Sequence, residues 1–178
     1  MQIYFIAPTG FGVGLTSTSL GLLRALEQGG LKIGFCKPIA QHHPGDTGPE
    51  QSSELITRTF SIEPPAPMPL EQTEKYLGDG QLDDLLEQIV QRFHQAAEGK
   101  DVMVVEGMVP TRTVSYAARL NAALASSLGA DVILVAAPED GNVSALADSL
   151  EIHRSEERRV GKECRARWSP YHEKKKEG

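Results

Sequence analysis

The first 30 residues constrain the fold most, because they contain a strand, a glycine-rich loop and a helix in that order. Residues 2–6 are β-branched and aromatic, which is typical of a buried strand. From Thr16 the leucines recur at helical spacing, and Gly29 and Gly30 then predict the end of the helix. A strand that enters a helix through a tight loop is the usual first unit of a parallel α/β sheet.

The rest of the pattern continues this alternation. Apolar runs predict strands at 31–36, 102–105 and 132–135, and helical spacing predicts helices at 50–60, 82–97 and 117–128. The proline-rich residues 61–69 predict a linker-like loop. We therefore expect a three-layer α/β fold of the phosphate-loop type with a mainly parallel sheet. Its first strand should lie between the strands at 102–105 and 132–135.

The carboxyl-terminal part of the sequence departs from this pattern. A last helix is predicted from Asn142, but no further strand follows, so we expect the sheet to stop before its last strand or strands. Residues 1–153 are expected to form one α/β domain that is incomplete at this end. Residues 154–178 lack a core-forming period and resemble translated adaptor sequence, so they are predicted to be a disordered, non-native tail; a basic docking tail is the alternative.

Charge and hydropathy exclude two classes of partner. Residues 155–178 hold eight of the 18 basic and five of the 24 acidic residues, so the remainder of the chain carries a net charge of −9. An acidic body repels nucleic acid. No apolar run approaches the length of a membrane span, and the opening residues lack a basic leader. We expect a cytoplasmic protein that binds neither nucleic acid nor membrane.

Cysteines and histidines give little sign of chemistry. Cys36 and Cys164 have no zinc-ligand spacing, and Cys36 is expected to be a core residue. His42 and His43 are adjacent in a turn without a third spaced ligand, which is weak evidence for a metal. His94 is expected to lie at the surface or to pack beside its helix. No nucleophilic arrangement can be assembled, so we predict no catalytic residue.

The loop after the first strand fits the phosphate-loop pattern G-x-x-x-x-G-K-[ST] with two departures. Pro8 occupies the first glycine position and Leu15 occupies the lysine position. Backbone N–H groups and a helix N-terminus can still surround an anion there. Without the lysine, the loop lacks the ammonium that neutralises a phosphoryl group during transfer. The alternative is a glycine-rich turn that only packs helix on strand.

Charged residues near the carboxyl ends of two other strands can join this loop. Lys37 follows the second strand and can supply part of the missing charge, although a solvated surface lysine is the alternative. Glu106 ends the most apolar strand, where this class of fold places a magnesium-binding carboxylate. A buried carboxylate needs a partner, and we expect Thr111 or Arg112 to provide it.

Three motifs in order resemble one family. They are 7–21 (APTGFGVGLTSTSLG), 37–41 (KPIAQ) and 104–112 (VVEGMVPTR). Residues 1–153 resemble the amino-terminal domain of the long bacterial phosphate acetyltransferases. That domain is similar to dethiobiotin synthetase but has the same leucine in place of the lysine.

The resemblance implies a regulatory and oligomerisation part of an acyltransferase of acetate metabolism, which makes acetyl phosphate and CoA from acetyl-CoA and phosphate. The implied partners are a small-molecule effector, a catalytic domain further along the same chain and further copies in a homo-oligomer. No cofactor is certain; a nucleotide or metabolite effector and Mg²⁺ are the candidates, with Glu106 as the metal ligand. The implied effector crevice comprises Thr9, Gly10, Gly12, Gly14, Thr16, Ser17, Lys37, Glu106, Gly107, Thr111 and Arg112.

Two other interpretations stay open at this point. One is an active ligase of the dethiobiotin synthetase or cobyrinate amidase kind that uses ATP and Mg²⁺, against which Leu15 counts. The other is an oligomerisation module whose crevice binds nothing.

Overall fold

The structure, a computed structural model, describes residues 1–41, 48, 50–137 and 146–147. Within this part four strands form one parallel sheet in the order β2-β3-β1-β4. The strands are β1 (Gln2–Pro8), β2 (Ile33–Cys36), β3 (Val102–Glu106) and β4 (Asp131–Val135). β1 pairs with β3 on one side and with β4 on the other, which confirms the predicted neighbours and the predicted fold class.

Helices cover both faces of the sheet. They are α1 (Leu15–Gln28), α2 (Gln51–Phe60), α3 (Leu70–Gly78), α4 (Leu82–Ala97) and α5 (Ala117–Leu128). α1 and α2 contact the sheet on one face, while α4 and α5 contact it on the other. No helix in the described part of the chain is long and apolar enough to cross a membrane.

Alternation along β1 and β3 divides the core into two clusters. Phe5 and Val105 belong to the cluster on the α4 and α5 face, whereas Ile6 and Val104 belong to the cluster on the α1 face. These four side chains are fully buried. A strand covered on both faces has no polar side to present, which explains the unbroken apolar run at 102–105.

One helix was not predicted from the sequence, and the predicted linker has more structure than expected. α3 follows the proline-rich segment and buries only Thr73. Within that segment Met68 forms a parallel bridge with Ile39, and the Ala40 and Met68 amides donate to the Met68 and Pro38 carbonyls at 2.8 and 2.9 Å. The segment is therefore fixed to the chain that follows β2.

Several predicted features lie outside the described residues. They are the histidine pair His42 and His43, most of the helix predicted from Asn142, Cys164 and the tail 154–178. Cys36 is buried in the core, as predicted. Burial raises the pKa of its thiol from 9.0 to about 12, so it is protonated at neutral pH. His94 is exposed, and its ring meets the edge of Phe93, as expected of a surface or packing residue.

Candidate functional site

The loop between β1 and α1 has the backbone conformation that its glycines permit. Gly12 and Gly14 have φ angles of 73° and 86°, in the left-handed region that side chains disfavour. A Cβ at either position would meet nothing within 4 Å, so glycine is needed for its conformation and not for space. Gly14 is the N-cap of α1, and its carbonyl accepts bonds from the amide and hydroxyl of Thr18. The loop thus leads into the positive end of α1.

The residue in the lysine position is part of the core. Leu15 is the first residue of α1 and is only 7% exposed. It belongs to the same apolar cluster as Ile6 and Leu23. Its side chain therefore contributes to holding α1 on the sheet and offers nothing to an anion in the loop.

The two hydroxyl residues that follow Leu15 have different surroundings. The Thr16 hydroxyl lies 3.0 Å from the hydroxyl of Ser52, a buried residue in the first turn of α2. Ser17 is exposed in the first turn of α1. The N-terminal turns of α1 and α2 therefore lie side by side, and this brings two positive helix ends together at one edge of the loop.

Behind the loop, a charged pair is enclosed by the protein. The Lys37 Nζ donates to Glu106 Oε1 at 3.0 Å and to the Gly107 carbonyl at 2.9 Å. The hydroxyl of Ser19 lies 2.8 Å from Glu106 Oε2 and 3.1 Å from the Leu15 carbonyl. Lys37, Glu106 and Ser19 are 3%, 1% and 0% exposed. Lys37 is thus neither a solvated surface lysine nor a free cation facing the loop.

Strand register explains why these residues meet. Cys36 of β2 is the register partner of Val105 of β3. One residue further along each strand, Lys37 and Glu106 come side by side on the face that α1 covers. Ser19 lies one turn into α1, directly above them.

The predicted partners of Glu106 were wrong. Thr111 and Arg112 are both exposed. The Thr111 hydroxyl accepts from the Val114 amide at 3.1 Å and lies 3.1 Å from the Thr113 hydroxyl. Neither residue contacts Glu106, because a tight turn at 111–114 carries them away from the strand end. Lys37 and Ser19 take that role.

Two side-chain amides hold the backbone that follows Glu106. Asn121 of α5 accepts from the Met108 amide and donates to its carbonyl, both at 2.8 Å. Gln41 does the same for Val109, at 2.6 and 3.0 Å. Gly107, which precedes these two residues, is tightly packed, since a Cβ there would come within 2.8 Å of Phe5 and 2.9 Å of the Asn121 oxygen.

Two of the predicted crevice residues, Lys37 and Glu106, form the buried pair. Six others lie on the loop 9–14 or in the first turn of α1: Thr9, Gly10, Gly12, Gly14, Thr16 and Ser17. The Thr9 amide donates to the Val135 carbonyl of β4 at 2.9 Å. Sequence reasoning missed Ser19, Gln41, Ser52 and Asn121. Ser19 had a usable signal, because it follows Leu15 by one helical turn on the same face.

The donor set does not fit a magnesium ion. Both Glu106 oxygens have donors, and the Thr16 hydroxyl is bonded to Ser52. Among residues 1–41, 48, 50–137 and 146–147, no group of three or more His, Cys, Asp or Glu side chains could hold a metal ion. The loop still offers its backbone N–H groups. The exposed Ser17 hydroxyl and the N-terminal ends of α1 and α2 lie beside it, and groups of this kind suit an anion.

Strand order, the glycine loop and the strand-end carboxylate define this chain as an α/β domain with a phosphate-loop-like fold. Residues 2–162 match the model of the AAA domain family AAA_26, and the chain belongs to that family.

Three similar proteins carry the same name. The chain is 64% identical over 152 residues to the phosphate acetyltransferase of Pseudomonas aeruginosa and to that of Nitrosomonas europaea. It is 35% identical over 155 residues to the phosphate acetyltransferase of Escherichia coli. The matches cover 85–86% of this chain but only 22% of each relative. The matched region is the amino-terminal part of those proteins.

Proposed function

We propose that residues 1–153 are the amino-terminal regulatory and oligomerisation part of a cytoplasmic phosphate acetyltransferase, and that the enzyme's catalytic domain lies further along the same chain. That enzyme converts acetyl-CoA and phosphate into acetyl phosphate and CoA. The names and the 64% identity of the relatives support the parent enzyme, and the match to only 22% of their length supports the division into parts.

The burial of Leu15 is the observation that supports a regulatory and not a catalytic role for this part of the enzyme. Phosphoryl transfer needs a cation at the β and γ phosphates. Leu15 is in the core, and the nearby Lys37 is already bound to Glu106. The loop can therefore cradle an anion without accelerating its transfer. We propose that the crevice, formed by the loop 9–14 and the first turn of α1, binds an anionic effector such as a nucleotide.

A chimera tests the parent enzyme. Residues 1–153 of this chain would replace the matching part of the P. aeruginosa phosphate acetyltransferase. We expect the chimera to form acetyl phosphate at a rate close to that of the parent, whereas the 178-residue chain alone forms none. Turnover by the chain alone at a rate near that of the chimera would refute the division into regulatory and catalytic parts.

Two variants at Ser17 test the effector crevice. Ser17→Glu places a negative charge in the first turn of α1, where it favours the helix and repels an anion in the loop. Ser17→Gln is the matched neutral control. With ATP as the probe and titration calorimetry as the assay, we expect Glu to weaken binding about tenfold, given a repulsion of about 1 kcal/mol for each pair of close unit charges in water. Equal affinities would contradict an anion site at this turn.

The unmodified chain and the variant Thr16→Ala test the ligase alternative. A phosphate-release assay with ATP and Mg²⁺ should show no turnover above background. Turnover that Thr16→Ala abolishes would favour a ligase and overturn the regulatory proposal.

We also propose that the domain ends near residue 153. Deletion of 155–178 should then leave the melting temperature unchanged or slightly raised. A clear fall in a thermal melt would show that the deleted segment packs on the domain.

A further inference from the structure

We propose that the Lys37 ammonium takes, at Glu106, the place that a divalent cation holds in phosphate loops that act on nucleotides, so that this crevice binds its anion in metal-free form. Exclusion of a cation from Glu106 depends only on the buried pair, whereas metal-free binding rests on the anion crevice proposed above.

A metal in such a loop has two protein ligands of known position. One is the hydroxyl of the Ser or Thr after the lysine, and the other is a carboxylate at the end of a neighbouring strand. In this chain these positions hold Thr16 and Glu106. Both residue types are thus retained, and only their contacts decide whether an ion can bind.

The contacts of Glu106 leave no place for a second cation. Oε1 accepts from the Lys37 ammonium at 3.0 Å and Oε2 accepts from Ser19 at 2.8 Å. The carboxylate is therefore already neutralised and hydrogen-bonded inside the protein. A divalent ion at either oxygen would lie close to an ammonium in a dry site, where repulsion between cations is poorly screened.

The ammonium is also held where it is. Its second bond, to the Gly107 carbonyl at 2.9 Å, ties it to a backbone that Asn121 and Gln41 fix on the following residues. Lys37 cannot swing toward the loop without leaving both acceptors. Lys37 therefore serves as the internal counter-ion of Glu106 and is not available to bind a ligand in the loop.

The other candidate ligands are occupied too. The Thr16 hydroxyl is bonded to Ser52 at 3.0 Å. Glu50, the N-cap residue of α2, is buried and accepts from the Ser53 amide at 2.8 Å. The crevice therefore offers no protein ligand to a Mg²⁺ ion that accompanies an anion. We expect it to bind free phosphate groups or metal-free nucleotide in preference to the magnesium complex.

The first experiment locates Mn²⁺ in the unmodified 178-residue chain. Bound Mn²⁺ broadens the NMR signals of nearby amides, so Ser19 and Gly107 report on the carboxylate. We expect no selective broadening of these two signals at stoichiometric Mn²⁺. Selective broadening that is lost in Glu106→Gln, with an exposed change such as Glu63→Gln as the control, would overturn the proposal. Broadening at Ser19 and Gly107 overturns it by itself if Glu106→Gln does not fold.

The second experiment measures the affinity for inorganic triphosphate by calorimetry, once with EDTA and once with saturating Mg²⁺. We expect equal or tighter binding in EDTA. An affinity more than about twofold higher with Mg²⁺ would refute metal-free binding. If triphosphate binds under neither condition, the anion crevice fails, together with metal-free binding in it, while the Mn²⁺ result still decides whether Lys37 excludes a cation from Glu106.

Discussion

Replacing Lys37 by methionine should destabilise the domain severely. Methionine keeps much of the lysine volume but removes the ammonium, so Glu106, which is 1% exposed, retains only the Ser19 hydroxyl. Removing one partner of a buried pair typically costs about 3–5 kcal/mol, because the remaining charge is left uncompensated. Domains are typically stable by only about 5–15 kcal/mol, so a large share of the native stability would be lost.

The double variant Lys37→Met/Glu106→Leu should recover most of that loss. It removes both charges, and the Ser19 hydroxyl can still donate to the Leu15 carbonyl, from which it lies 3.1 Å. Apolar replacement of a whole buried pair is often close to neutral. We therefore expect the double variant to be more stable than Lys37→Met by about 2 kcal/mol or more.

Urea unfolding at pH 7, followed by far-UV circular dichroism, measures these differences. The control is Arg58→Met in the exposed pair with Glu54 on α2, which we expect to cost less than about 0.5 kcal/mol. Two results would refute the reasoning. One is a cost below about 1 kcal/mol for Lys37→Met. The other is a double variant whose loss of stability equals the sum of the losses measured for Lys37→Met and for Glu106→Leu alone.

Three further predictions follow from packing and burial. Gly107→Ala should cost about 1–3 kcal/mol in urea unfolding, because its Cβ would meet Phe5 and Asn121 below 3 Å, whereas the control Gly21→Ala, in open space on α1, should stabilise by about 0.5–1 kcal/mol. Equal effects would contradict the packing around position 107. Cys36, studied in a Cys164→Ser background, should resist a thiol reagent between pH 7 and 9, since its pKa is raised to about 12. The thiol of the unfolded chain ionises near pH 9, before the buried thiol of the native protein, so the contribution of Cys36 to the free energy of unfolding should be lost as the pH rises from 9 toward 12. Rapid labelling of Cys36 in the native protein at pH 8 would count against its burial. In the described part of the chain β4 is the outermost strand of the sheet, and Val132 on it is 36% exposed. We expect the chain to self-associate through this strand, so Val132→Lys should reduce self-association in light scattering without lowering the melting temperature. Unchanged association would show that this edge is not the contact.

Most of the fold could be predicted from the sequence, because its signals are local. The helix at 82–97 has a strong apolar face, and the structure places α4 over the same residues with Leu85, Ile89 and Phe93 buried. The predicted strands agree with β1 to β4 within two residues at either end. α3 was missed because it is only nine residues long and its large apolar side chains, Leu70, Tyr76 and Leu77, are too few to establish a helical period.

The site was harder to predict because its contacts join distant parts of the chain. Lys37 and Glu106 were both identified from their positions at the ends of strands. Their ion pair, however, forms only because β2 and β3 are neighbours in the sheet and pair in this register. The partner expected for Glu106, Arg112, was near in sequence and is exposed in the structure. Sequence proximity is a poor guide at a strand end, where the chain turns away and the neighbouring strand supplies the contact. The roles of Gln41 and Asn121 were also missed, because Gln41 was recognised only as the last residue of the KPIAQ motif and Asn121 only as a position in a predicted helix.

The position of Leu15 also bears on how such a domain can change over time. Substitution of Leu15 by lysine would restore one of the two positions at which the loop departs from the phosphate-loop motif, the other being Pro8. It would also introduce an ammonium into the apolar cluster that Leu15 shares with Ile6 and Leu23. Burying an unpaired charge costs more than most single changes can offset. Recovery of phosphoryl transfer would therefore require two changes together: another side chain would have to fill the space left by Leu15, and the ion pair of Lys37 and Glu106 would have to be broken. A path with several unfavourable intermediates makes the present state of the loop hard to reverse by stepwise mutation.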